Sequence, residues 1–224
     1  MIQALRLESA PEQAQVTQSV LLPSVSWQTY QALLTDMGDH RVARLTYDQG
    51  WLHIKMPSQL HEIINRLLAR IVTTLTEELD LEIVNYGSTT LDREDLAKGA
   101  EPDTCFYIQN AAQVQGLNPD IPPELAPDLV LEVDITSPST RRLNVYLALG
   151  IPEVWCYTQK GGVEMLGLST QTDTLIYKPL VASRVFPQIT PQLLNDLLAQ
   201  RQTTSENAII KTFRAWIQQH SSVD

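Results

Sequence analysis

The chain has 224 residues, with 26 Asp+Glu against 16 Lys+Arg and a formal net charge of −10. Hydrophobic residues make up 43%, enough to build a sizeable core, which excludes global disorder. No apolar run approaches the roughly 18 residues of a membrane span, and the acid excess argues against a generic nucleic-acid coat protein, whose surface must be basic.

Residues 1–24 read as an N-terminal tail or edge element, Gln-rich and weakly patterned. They lack the basic stretch and apolar run of a signal peptide, so a cytoplasmic protein is expected. Ser26 is placed to cap a helix carrying Trp27, Tyr30, Leu33, Leu34 and Met37, which ends at Gly38. Two strand-like runs, Arg41–Tyr47 and Trp51–Met56, flank the turn Asp48-Gln49-Gly50 and predict a hairpin. Pro57-Ser58 opens the longest helix, to about Asp80, with Leu60, Ile64, Leu67, Leu68, Ile71, Leu75 and Leu79 on one stripe.

Leu81–Tyr86 reads as a strand, Asp92–Gly99 as a charged loop, and Cys105–Ile108 as a strand introduced by Glu101-Pro102-Asp103. The proline-rich stretch 118–127 is loop. Leu129–Ile135 is a near-continuous apolar run and predicts a buried strand. Thr136-Ser137-Pro138-Ser139 starts a helix that carries Leu143, Tyr146, Leu147 and Leu149 up to Gly150. Strands follow at Glu153–Tyr157, Val163–Leu168 and Thr174–Tyr177. Two helices close the chain, the first from Thr190-Pro191, the second with Ile209, Ile210, Phe213, Trp216 and Ile217, joined by the polar linker Gln200–Ser205. The order predicts an α/β (α+β) protein with a central mixed β-sheet flanked by helices, an N-terminal helix-hairpin and C-terminal helices. The division is 1–24 tail, 25–190 main domain and 191–224 helical extension.

Three carboxylates resist the reading of a solvated surface charge. Asp103 begins a strand directly after a proline, and Glu132 and Asp134 interrupt the apolar run. Unpaired charge does not enter a buried strand, because desolvating an isolated carboxylate is very costly. Strand alternation puts Glu132 and Asp134 on one face. Either a divalent cation such as Mg2+ lies between them, or they are capped or Arg-paired buried acids. Arg141 and Arg142 lie in the following helix, and His61 and Glu62 in the first turn of the long one. His61 borders the apolar stripe, as a half-buried structural histidine would, and Glu62 points away, as an acid favoured by the helix dipole would. The only two cysteines, Cys105 and Cys156, lack CxxC or zinc-type spacing and read as small core residues.

These segments form blocks. Glu101-Pro102-Asp103-Thr104-Cys105-Phe106-Tyr107-Ile108-Gln109-Asn110 is one, Pro127 to Ser139 the second, and Leu143 to Trp155 the third, with Met56-Pro57-Ser58 to His61-Glu62 a weaker fourth. Together, over roughly residues 25 to 190, they resemble the Uma2 family of restriction endonucleases in its cyanobacterial type, itself similar to the PD-(D/E)xK nucleases. The resemblance implies a restriction-endonuclease-like core and a metal site for Mg2+ or Mn2+. Asp103, Glu132 and the backbone carbonyl of Val133 would be the protein ligands, and Glu62 or His61 the helix-borne residue that reaches the site. The parent motif has Lys two positions after its second acid, where this chain has Asp134. The basic position falls instead on Arg142, which is always protonated and can stabilise charge but cannot take a proton from water. Water activation would then rest on the metal, on Asp134 or on a substrate phosphate.

Two functions follow. One is a Mg2+-dependent endonuclease acting on nucleic acid, DNA ahead of RNA, as a homodimer and away from membranes. The alternative is a catalytically weak or inactive nuclease-fold module that binds or regulates, favoured by the acidic balance. Binding a polyanion needs a local basic patch, for which Arg66, Arg70, Arg93, Lys98, Arg141 and Arg142 are the candidates. A purely structural oligomer subunit rests only on the exposed-looking Phe213 and Trp216.

Overall fold

The computed structural model describes residues 18–38, 42–117, 119–135 and 140–220. A strand, β1 (Gln18–Leu22), lies in the segment expected to be a tail or edge element. The residues before it, and the helix-start signature 136–139, lie outside the described residues. Ser26 caps α1 (Trp27–Met37) by accepting from the Thr29 amide, and Gly38, at φ 65°, ends it where a missing Cβ costs least. The expected hairpin forms from β2 (Arg44–Asp48) and β3 (Trp51–Met56), which pair antiparallel with Arg44 opposite Lys55 and Thr46 opposite His53.

Ser58 caps α2 (Gln59–Glu78), its hydroxyl accepting from the His61 amide at 3.3 Å. This cap anchors the turn that carries His61. Ser58→Ala should lower stability by about 1 kcal/mol, read as a shifted midpoint in urea unfolding with an unchanged slope.

The strand β4 (Val84–Gly87) is shorter than the expected Leu81–Tyr86. The segment Asp92–Gly99 is not a loop. It contains β5 (Leu91–Arg93), a 3-10 turn at Glu94–Leu96 and β6 (Lys98–Ala100). Two of its charges are satisfied by distant partners that sequence periodicity does not register. Asp92 accepts from the Tyr30 hydroxyl and the Gln31 side-chain amide, each at 2.7 Å, and Lys98 pairs with Asp48. A Cβ on Gly99 would lie 2.1 Å from Asp92 Oδ1 and 2.5 Å from the Tyr30 hydroxyl, so a larger residue would have to push this hydrogen-bonded pair aside.

The remaining elements are β7 (Thr104–Tyr107), β8 (Leu129–Asp134), α3 (Thr140–Ala148), β9 (Glu153–Thr158), β10 (Gly162–Gln171), β11 (Thr174–Pro179), α4 (Pro191–Gln200) and α5 (Glu206–His220). Six strands form a mixed sheet in the order β11-β10-β9-β8-β7-β4. Within it only β8 and β9 are parallel, with α3 as their crossover. This is the central mixed sheet flanked by helices of a restriction-endonuclease-like α/β fold.

A second, antiparallel sheet has the order β1-β3-β2-β6-β5. It exists because the hairpin has an apolar face of its own: Leu45, Tyr47 and Leu52 close over Tyr30 of α1. The other face of the hairpin turns towards α3, which touches β2 and β6.

Alternation along β8 sorts its side chains. Leu129, Leu131 and Val133 enter the main core beneath α2, α4 and α5. Val130 faces the opposite way, into a core shared with Val145 and Tyr146 of α3. Glu132 and Asp134 follow Val130, as strand geometry requires. The aromatics of α5 are not an exposed patch: Phe213 is buried in the main core and Trp216 packs against it. The apolar stripe of α5 lies along α2, a partner that the isolated helix does not reveal. Both cysteines are free and buried. No helix among the described residues is long and apolar enough to cross a membrane.

Candidate active site

Asp103, just before β7, and the C-terminal half of β8 lie side by side in the mixed sheet, where Thr104 is registered with Leu131. This pairing brings the Asp103 carboxylate against the β8 backbone. Its Oδ2 accepts from the Val133 amide at 2.8 Å and from Lys55 Nζ at 3.3 Å, and lies 2.8 Å from His61 Nε2. Its Oδ1 is buried and has no hydrogen-bond partner among the described residues. Asn65, one turn after His61, donates to the Asp103 carbonyl at 3.2 Å and accepts from the Thr104 hydroxyl at 3.0 Å, fixing the turn that carries the acid.

Glu132 is fully engaged from α3. Arg142 donates to one carboxylate oxygen and the Tyr146 hydroxyl to the other, all three groups being buried. Asp134 is the more open acid, its side chain 12% exposed. It accepts from Lys55 at 3.0 Å and lies 3.5 Å from Arg142. Lys55 itself is 2% exposed and donates to the Val133 carbonyl at 2.8 Å.

The structure therefore brings together Asp103, Glu132, Asp134, Arg142 and His61, with the Val133 carbonyl among them. Glu62 stands at the rim, its carboxylate 38% exposed and 3.5 Å from His61 Nδ1. Sequence reasoning missed Lys55 and Tyr146. Lys55 carried a signal, a lysine inside the apolar strand sequence Leu52-His53-Ile54-Lys55-Met56. Tyr146 sits among Leu143, Leu147 and Leu149 in the sequence, where its one polar signal is a hydroxyl that needs a partner when buried.

The electrostatics follow from burial and these pairings. Burial alone would raise the Asp103 carboxyl. Lys55, His61 and Arg142 together outweigh it and hold the group well below the usual carboxylate range. For Glu132 the balance is reversed. Burial, reinforced by the neighbouring Asp103 and Asp134, outweighs Arg142 and pushes it up to about 8. Burial and the positive charges of Arg142 and Lys55 push His53 down to about 4, so the imidazole is neutral near pH 7. His53 shares its β3 face with Trp51 and Lys55, and the Arg141 guanidinium lies over the Trp51 ring, 4.3 Å from its centroid.

The candidate basic residues do not form one patch. Arg70 pairs with Glu206 and Arg93 with Asp95, each at 2.7 Å. Lys98 pairs with Asp48, and Arg66 lies 3.8 Å from Glu62.

A hard divalent cation suits this donor set. The donors are oxygens, and Asp103 Oδ1 is a buried anionic acceptor that no group among the described residues meets. Among the described residues no three His, Cys, Asp or Glu side chains converge to hold an ion by themselves. Two carboxylates would need the Val133 carbonyl as a third ligand.

The model of the Uma2 family, described as "putative restriction endonuclease", matches residues 27–195, well over half of the chain. No curated protein matches it.

Proposed function

The chain belongs to the Uma2 family, and from that premise we propose that its buried charge cluster is the active site of a divalent-metal-dependent endonuclease of the PD-(D/E)xK type, cleaving phosphodiester bonds in nucleic acid, DNA ahead of RNA. The observation that carries this reading is that Lys55 and Arg142 tie Asp103, Asp134 and Glu132 into one buried charge cluster, in which Asp103 Oδ1 has no hydrogen-bond partner among the described residues. Asp103, Glu132 and the Val133 carbonyl would hold Mg2+ or Mn2+. Bound there, the ion would supply Lewis acidity at the phosphate and a water of lowered pKa.

The chain's own residues set the conditions. His61 and the Val133 amide orient Asp103, and Glu62 supports His61 from the rim. Arg142 remains cationic at any working pH, so it steadies Glu132 and places positive charge where a phosphate would gain negative charge. Asp134, the most exposed of the three acids, is the carboxylate that an incoming water would reach first.

Nicking of supercoiled plasmid in Mg2+ or Mn2+, lost in Glu132→Gln, is the expected result. No cleavage of DNA or RNA by the wild type with either ion would overturn the reading. A second reading, a catalytically weak binding module, draws support from the basic side chains already committed to acids. Intact metal binding without cleavage of any nucleic acid would select it.

The raised Glu132 sets a pH dependence. Below about 8 a proton competes with the cation for this carboxylate, so Mn2+ affinity should rise between about pH 7 and 9. Calorimetry across that range checks it, and a flat affinity would contradict it.

A further inference from the structure

The Lys55 ammonium stands on the Val133 carbonyl oxygen at 2.8 Å and reaches Asp103 Oδ2 at 3.3 Å. These two groups are two of the three ligands of the metal reading above, on which this inference rests. A protein cation already satisfies oxygens that a divalent ion would need. We propose that Lys55 is a resident cation that holds the metal position in the ion-free protein, and that ion binding displaces its ammonium from the Val133 carbonyl towards Asp134.

Charge and space both require the displacement. Asp103, Glu132 and Asp134 face Lys55 and Arg142, and Arg142 is held in place by Glu132. A further two positive charges beside a fixed ammonium would meet close like-charge repulsion in a site where water screens little. Lysine is a flexible chain ending in a compact charge, so it can move where the Arg142 guanidinium, buried and bonded to Glu132, cannot. The way out is set by exposure: the Asp103 side chain is 1% exposed and that of Asp134 is 12%. Lys55 already bonds Asp134 at 3.0 Å, so it can withdraw without losing its carboxylate partner. Asp134 then serves as the receiver of the displaced ammonium.

Two measurements test this, with Mn2+ as the probe. Calorimetry compares the wild type with Lys55→Met, in which the competing charge is gone. The variant should bind Mn2+ about tenfold more tightly or better. Acylation of the wild type by an amine-reactive ester, followed by peptide mass spectrometry, reads Lys55 directly. Saturating Mn2+ should raise its labelling several-fold and leave the exposed Lys160 unchanged. Equal Mn2+ affinity in the two proteins, or Lys55 labelling unaffected by Mn2+ that does bind, would overturn the displacement and leave the metal site standing. No Mn2+ binding by either protein would overturn the metal reading and the displacement with it. Should Lys55→Met fail to fold, the wild-type labelling decides alone.

Discussion

Asp103→Ala should eliminate Mn2+ binding and cleavage and also destabilise the fold. Its carboxylate is the shared acceptor of the Val133 amide, Lys55 and His61. Without it, a buried ammonium and a buried backbone N–H each lose a partner. Removing one member of a buried ion pair costs about 3–5 kcal/mol, and losing a metal ligand should cost more than the roughly 10–100-fold typical of groups that merely support one. Asp103→Asn separates the two effects. It keeps an acceptor for the Val133 amide but not the charge, so stability should recover in part while Mn2+ affinity stays lost.

The pH profile carries a further signature. The folded Asp103 carboxyl lies below its ordinary value of about 3.9. Its stabilising contribution is therefore present above that value and is lost as pH falls through the depressed folded value. Acid unfolding should be shallower in Asp103→Asn than in the wild type, and identical acid limbs would contradict the assignment.

Arg142→Ala is expected to be equally severe, for a different reason. The guanidinium is the buried partner of Glu132 and lies near Asp134. The cost is again about 3–5 kcal/mol, and it should depend on pH. Glu132 already tends to hold a proton, because burial pushes it up to about 8. Without Arg142 it escapes further by staying protonated, which limits the loss at low pH but not at high pH. Urea unfolding at about pH 6 and pH 9 should show the greater destabilisation at pH 9. The sign agrees with the wild type. A folded pKa above the unfolded one gives a contribution that is complete below the ordinary carboxylate pH and fades as pH rises through about 8. Equal losses at both pH values would mean that Glu132 is ionised throughout.

Much of this site was legible before the structure. Period-two alternation placed Glu132 and Asp134 on one face, and they do share the α3 side of β8. The helix signatures placed His61 at the start of α2, where the Ser58 cap holds it. Lys55 was not legible, because its burial depends on the second sheet. A lysine in a hairpin ordinarily points to water, and only the packing of the hairpin against α3 encloses that face. The segment 92–99 reads as a loop for the same reason. Asp92 and Lys98 look like loop charges until Tyr30, Gln31 and Asp48 arrive from the N-terminal elements. Phe213 looked exposed because the partner of its helix, α2, lies far away in sequence. Local periodicity reports which face is apolar. It does not report which distant element will cover a polar face.

The PD-(D/E)xK motif that the sequence resemblance implies has a lysine two residues after its second acid, where this chain has Asp134. The structure brings an ammonium to the same neighbourhood from β3, and Asp134 accepts from it at 3.0 Å. The buried cluster thus combines Asp103, just before β7, and the acids of β8 with cations from β3 and α3.

The most direct measurement is anomalous diffraction from crystals grown or soaked with Mn2+ at about pH 8, where Glu132 gives up its proton. The expected result is one anomalous peak between the carboxylates of Asp103 and Glu132, next to the Val133 carbonyl, with the Lys55 ammonium moved towards Asp134. The cluster left without an ion at saturating Mn2+, with Lys55 still on the carbonyl, would contradict the account.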